Sequence, residues 1–253
     1  MKKKYVLFIL LIFWLMALSL FPAEEEVKYY EIDFSAGLTF SYNTAKVELA
    51  PDDMEKTLFY PFLTVEVDVD IYNYVTVGVL AGYSQNTFRG PIDFNELPLS
   101  LRLNEKRRNS MVFGLNLKSE FTSFGYFSLC GKAEFLYFKL FKNETPIELP
   151  IVTGNAVIGN TFHQLTVDLF LRYDGLTGVS LFLGPQLNLL KGKVSANEVI
   201  EDIEAEQVIN FRQKKFIGLV TGVNIEIGSQ VELILSAGLF TKTSFSAGIF
   251  YLF

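Results

Sequence analysis

The stretch YEIDFSAGLTFSY, residues 30–42, decides the fold. Tyr30, Ile32, Phe34, Ala36, Leu38, Phe40 and Tyr42 take every second position, with Glu31, Asp33, Ser35, Gly37, Thr39 and Ser41 between them. Side chains of an extended chain point alternately to opposite faces, so this is a strand with one apolar and one polar face. Leu63, Val65, Val67, Val69 and Ile71 repeat the pattern against Thr64, Glu66, Asp68 and Asp70. It returns at 75–83, 111–121, 127–137, 165–173, 179–189, 217–227, 231–239 and 245–253. Ten strands of about 9–13 residues are therefore expected, close to the ~9–11 with which a tilted strand crosses a bilayer.

Connection lengths alternate as well. Tyr72-Asn73-Tyr74, 122–125, 174–178 and Gly228-Ser229-Gln230 are tight turns built from turn-forming residues. Long polar connections, 43–56, 85–109, 140–161 and 190–213, separate them; only the hairpin at Thr241-Lys242-Thr243 is short at both ends. Short turns on one rim and long loops on the other belong to a membrane barrel with an even strand number. A soluble barrel with its apolar face inside also alternates. Volume decides: about fifty large apolar side chains exceed what a ten-strand barrel encloses, so that face looks outward, which only lipid tolerates.

The first 23 residues stand apart. Lys2, Lys3 and Lys4 precede an apolar run from 5 to 20, and Ala17, Ser19 and Ala23 offer small-residue cleavage positions before Glu24-Glu25-Glu26. Residues 1–23 are expected to be a secretory signal, cut after Ser19 or Ala23, and 24–253 to be the barrel. Removing the segment takes three of the 22 Lys+Arg and none of the 28 Asp+Glu, so net charge moves from −6 to −9, and Trp14 is lost. A single Cys (Cys130) and a single His (His163) exclude a disulfide framework, Cys-rich zinc sites and multi-His metal centres. No cofactor is expected, and the acidic balance argues against nucleic acid as a partner.

At the other end Phe245, Ala247, Ile249, Tyr251 and Phe253 alternate to a terminal aromatic. This resembles the C-terminal assembly signature of bacterial outer-membrane β-barrel proteins, and no subfamily is identified. The resemblance implies that Phe245, Ile249, Tyr251 and Phe253 are read by the barrel-assembly machinery. It also implies that the protein resides among outer-membrane lipid of a two-membrane bacterium, with the short rim periplasmic. The fold class is an all-β, transmembrane, antiparallel up-and-down barrel of ten strands, with eight as the alternative. Without Trp, its interfacial girdle would be Tyr29, Tyr30, Tyr72, Tyr74, Tyr126, Tyr173 and Tyr251.

Chemistry is sparse. The polar face carries Glu31, Asp33, Glu66, Asp68, Asp70, Glu120, Glu134, Asp168 and Glu226 against Lys118, Lys132 and Arg172. These charges are expected to plug and rigidify the lumen; the alternative is a cation-preferring path. Outer-membrane proteases of the omptin type place Asp and His at the outer rim, but His163 has no Asp two residues away and shares phase with Leu165 and Val167. Cys130 falls in phase with the lumen beside Ser128 and Lys132, with no His near it. Ser195-Ala196-Asn197-Glu198 reads as a capping box, so a short helix is expected over 196–208, opposite in charge to Lys106-Arg107-Arg108. Asn143-Glu144-Thr145 matches a glycosylation sequon, taken as chance in a bacterial chain. The expected function is a small non-enzymatic surface barrel, structural or adhesive, meeting an extracellular ligand through its loops. A narrow channel or small-molecule transporter is the alternative, and an omptin-like protease a remote one; the sequence does not specify an oligomeric state.

Overall fold

The computed structural model describes residues 32–253 apart from 52, 72–74, 99–100, 104–107, 142, 149–152 and 201–202. The expected signal, the girdle positions Tyr29, Tyr30, Tyr72 and Tyr74, and the basic pair Lys106-Arg107 lie outside the described residues.

Among the described residues fifteen strands follow in order: β1 (Ile32–Leu49), β2 (Met54–Phe59), β3 (Phe62–Ile71), β4 (Val75–Arg89), β5 (Ile92–Phe94), β6 (Leu101–Leu103), β7 (Arg108–Phe124), β8 (Phe127–Leu140), β9 (Asn143–Glu148), β10 (Thr153–Leu176), β11 (Val179–Ile200), β12 (Ile203–Gln213), β13 (Ile217–Ile227), β14 (Val231–Leu239) and β15 (Lys242–Leu252). Ten of them close a ring, β1-β3-β4-β7-β8-β10-β11-β13-β14-β15-β1, antiparallel at every seam. The closing seam runs from Ser35↔Leu252 to Ala45↔Lys242, so β15 closes the ring onto β1.

A second ring stands on the first. The β14–β15 hairpin turns early, at Phe240 and Thr241, and β12 reaches over it to pair Val47↔Gln213, Glu48↔Arg212 and Leu49↔Phe211 of β1. Backbone bonds from Lys214 N–H to Lys46 C=O (3.0 Å) and from Ala50 N–H to Asn210 C=O (2.8 Å) extend that seam. The upper ring is therefore β1-β2-β4-β7-β8-β10-β11-β12-β1, eight strands. β2 and β3 are one stave interrupted at Tyr60-Pro61, where proline offers no N–H to the ladder. Ten staves thus cross the lower part and eight continue above it.

The short-turn rim carries an aromatic girdle. Tyr126 and Tyr173 lie edge-on at 6.4 Å, Phe124 stacks on Phe127 at 6.1 Å, and Tyr251 meets Phe253 at 5.1 Å. Above it the outward faces are apolar and open: Phe34, Leu38, Phe40, Val67, Leu115 and Leu183 are all exposed on the closed ring. Only a hydrocarbon surrounding accommodates such a belt, so the lower ring is the membrane-spanning part.

The structure departs from two expectations of the sequence. The segments 43–56, 85–109, 140–161 and 190–213, read as polar loops, are largely strand. The helix expected over 196–208 is instead the β11–β12 hairpin, paired from Lys191↔Arg212 to Ile200↔Ile203. A capping box supplies only a local preference, which continuous cross-strand pairing overrides.

Candidate functional site

Along the staves that continue upward the inward face changes character while its register continues. On β1 the inward residues run Ser35, Thr39, Ser41, Asn43 and then Ala45, Val47, Leu49. On β8 they run Ser128, Cys130, Lys132, Glu134 and then Leu136, Phe138, Leu140. The outward face switches the other way: Tyr42 gives way to Thr44, Lys46 and Glu48, and Leu189 to Lys191 and Lys193. The lower ring is apolar outside and polar inside; the upper ring is apolar inside and polar outside.

The upper interior is a solid core. Tyr60, Phe138 and Phe162 are completely or almost completely buried, with Phe138 and Phe162 stacked at 4.2 Å and Tyr60 edge-on to both at 5.8 and 5.7 Å. Leu58, Val112, Leu190, Val194 and Phe211 close around them. From above, Ile92, Phe94 and Leu97 fold into the same core from the β5–β6 segment, which the Glu96 N–H ties to the Gln207 side chain at 3.1 Å.

Below this core lies a cavity of about 450 Å³, reaching from Asp70, Arg172 and Leu252 at the short-turn end up to Phe62 and Leu80 of the apolar core. Its charges gather in two layers. Near the mouth Arg172 bridges Glu120 (2.8 Å) and Asp174 (2.9 Å), and Ser128 donates to Glu120 at 3.2 Å. Deeper, Lys118 lies 2.7 Å from Asp68 and 3.3 Å from Glu66, and Asn116 donates to both acids. Lys132 pairs with Glu134 at 2.9 Å, and Asp168 accepts from Gln186 at 2.9 Å. Of the charges read onto the polar face, Glu66, Asp68, Asp70, Glu120, Glu134, Asp168, Lys118, Lys132 and Arg172 line this one cavity; Asp33 and Glu226 are exposed outside it, and Glu31 lies outside the described residues.

One cation was missed. Lys242 begins β15, points into the cavity and is 9% exposed, close enough to Glu134 and Asp168 to interact with them electrostatically. The sequence placed it in a short turn; the pairing Ala45↔Lys242 puts it in phase with Ser244, Ser246 and Gly248 on the lumen side. Gly78 shows how tightly the network is packed: a Cβ there would meet the Asp68 carboxylate and the Asn116 amide below 3 Å.

Cys130 faces the lumen and is 4% exposed, opposite Glu120 on β7 and Phe170 on β10. His163 points outward and stacks on Phe135 at 6.3 Å, away from the lumen acids. Among the described residues no group of three His, Cys, Asp or Glu is placed to hold a metal ion. At the C-terminus Phe245, Ile249 and Tyr251 are exposed on the lipid side, and the Phe253 N–H donates to the Phe34 carbonyl at 2.9 Å.

The sequence matches no protein-family model and no curated protein. Solved structures similar in overall form are bacterial outer-membrane barrels. The translocator domain of the autotransporter NalP from Neisseria meningitidis is 10% identical with a TM-score of 0.45, covering 88% of each chain. The β domain of the Bordetella autotransporter BrkA is 12% identical with a TM-score of 0.46, covering 88% of this chain and all of that one. The outer membrane protease OmpT from Escherichia coli is 9% identical with a TM-score of 0.38, covering 90% and 99%. Likeness at this level is one of barrel form and transfers no activity.

Proposed function

We propose that the protein is a sealed, non-enzymatic barrel of the outer membrane of a two-membrane bacterium, with its short-turn rim in the periplasm and its eight-strand extension outside the cell. In this reading the extension is the working part: a rigid platform whose tip meets extracellular partners. The observation that carries it is the apolar core around Tyr60, Phe138 and Phe162, which closes the staves above the charged cavity. An ion entering from the periplasmic side would meet a dry aromatic barrier, and hydrophobic constrictions stop conduction by excluding water. The lumen charges then act as a plug: Lys118, Lys132 and Arg172 are each held by an acid, and an unpaired charge in such a space is costly. Phe245, Ile249, Tyr251 and Phe253 serve the barrel-assembly machinery during insertion.

Catalysis finds little support. His163 faces away from the lumen acids, and the Cys130 thiol is enclosed without an imidazole beside it. The test is single-channel recording of purified protein in a planar bilayer. A silent barrel is expected; steady unitary conductance from the wild-type protein would replace this reading with the channel.

A further inference from the structure

The two sides of the upper ring treat their cations differently. Around β1, β2 and β12 the outward cations Lys46 and Lys214 are held by Glu55 at 2.9 and 2.6 Å, and Arg212 by Glu48 and Asp53 at 3.3 and 3.8 Å. Around β8, β10 and β11, Lys139, Lys191 and Lys193 stand exposed, with no ion pair or hydrogen bond to any described residue. Cross-strand register brings these three together. Lys139 and Lys193 flank Thr161, and Lys191 sits one outward position below Lys193, beside His163, which in turn neighbours Tyr137. Strand spacing puts Lys139 and Lys193 roughly 10 Å apart and Lys191 and Lys193 roughly 7 Å apart, within reach of one anion for three long side chains. A groove of about 590 Å³ opens at this point, lined by Tyr137, Thr161, His163, Lys191 and Lys193 on one side and by Arg212 with its partners Glu48 and Asp53 on the other; Lys139 stands at its edge across Thr161.

Directly below, the same staves turn apolar. Leu165 sits between Phe135 and Leu189, and Val167 between Ala133 and Leu187. Three cations without an ion pair among the described residues, and two hydroxyls, thus crown an apolar column at the hairpin edge of the lipid belt. We propose that this outward face of β8, β10 and β11 binds the phosphate of a phosphorylated lipid of the adjacent leaflet, with its acyl chains lying on Phe135, Leu165 and Leu189. Lysines are point charges suited to a phosphomonoester, and the apolar surface beneath selects a lipid-borne phosphate over a free one. The inference rests on the membrane-spanning placement of the belt and not on whether the lumen conducts, so bilayer recordings and lipid binding fail separately.

The test is native mass spectrometry of the folded, mature protein released from detergent micelles carrying equal amounts of phosphatidic acid and phosphatidylcholine. Wild type is expected to retain phosphatidic acid in preference, and that preference to fall about fivefold for each lysine removed in Lys139→Gln, Lys193→Gln and Lys191→Gln/Lys193→Gln. Lys191→Arg/Lys193→Arg is expected to keep it, as is Lys46→Gln in the paired sector. Gel mobility before and after heating confirms that each variant is folded, and the single variants carry the test where the double one does not fold. Equal retention of both lipids by wild type overturns the proposal, as does a preference unchanged by the lysine substitutions. Displacement of phosphatidic acid by millimolar inorganic phosphate overturns the lipid assignment in favour of a free-phosphate site.

Discussion

Val67 on β3 and Val208 on β12 are the same residue on the same outer surface, 44% and 43% exposed, yet they face different solvents. Val67 lies in the ten-strand ring, whose outward neighbours are Leu63, Val65 and Val69; Val208 lies in the eight-strand ring beside Ser195 and close to Asn210 and Arg212. The staves that continue upward change their solvent partway without changing their register. Exposure alone does not distinguish the two regions; the identity of the neighbours does.

The largest expected effect is in the upper core. Phe138→Ala removes a fully buried ring stacked on Phe162, which should cost about 3–5 kcal/mol in urea unfolding from lipid vesicles. Unfolding free energies within 1 kcal/mol of wild type would mean that the upper ring is not a packed core.

Next comes the valine pair. Val67→Arg puts a charge toward the hydrocarbon and should cost on the order of 2–4 kcal/mol near mid-bilayer. Val208→Arg, in water, should stay within about 0.5 kcal/mol of wild type. Equal costs, read from the same unfolding curves, would erase the distinction between the rings.

Lys132→Gln comes third. Glu134 loses its 2.9 Å partner in a confined cavity, and because Lys132 is partly solvent-accessible the loss should be about 1–3 kcal/mol rather than that of a dry pair. In planar bilayers the variant should remain as silent as the wild type. Unchanged stability together with cation-selective current would move the acids from plug to pathway.

The smallest effect is at Glu55 in the upper ring. Hydrogen bonds and attraction from Lys214 and then Lys46 hold its carboxyl down at about 2, below the ordinary 4.5. A depressed carboxyl contributes stability that is present above the ordinary value and fades as pH falls toward about 2. The melting point of Glu55→Gln should therefore lie slightly below wild type at pH 7, and the gap should close between about pH 4.5 and 2. A gap that grew on acidification would contradict the pairing.

Much of the lower ring was legible in the sequence, because lipid outside and charge inside impose a period of two that residues such as 34–42 and 63–71 display without interruption. The convergence of Glu66, Asp68, Lys118 and Lys132 follows from phase; the closure of ten staves needed the connection lengths and the volume of the apolar face as well. The upper ring was harder to read, although Ala45, Val47 and Leu49 or Leu190, Val194 and Ala196 alternate just as strictly. There the apolar residues fall on what had been the polar face. A search for a constant apolar phase ends each strand at the inversion and assigns the remainder to loops. Lys242 was hidden for another reason: its orientation depends on the β1–β15 register, which no local pattern of turn residues reveals.

The change of solvent along one outer surface is the claim on which the rest depends. Nitroxide labels at residues 67 and 208, introduced one at a time on a Cys130→Ser background in lipid vesicles, report it through relaxation by oxygen, which concentrates in hydrocarbon, and by a water-soluble nickel chelate. The label at 67 is expected to respond to oxygen and be shielded from nickel, and the label at 208 to do the reverse. Oxygen-dominated relaxation at both positions would place the upper ring in lipid and contradict that claim.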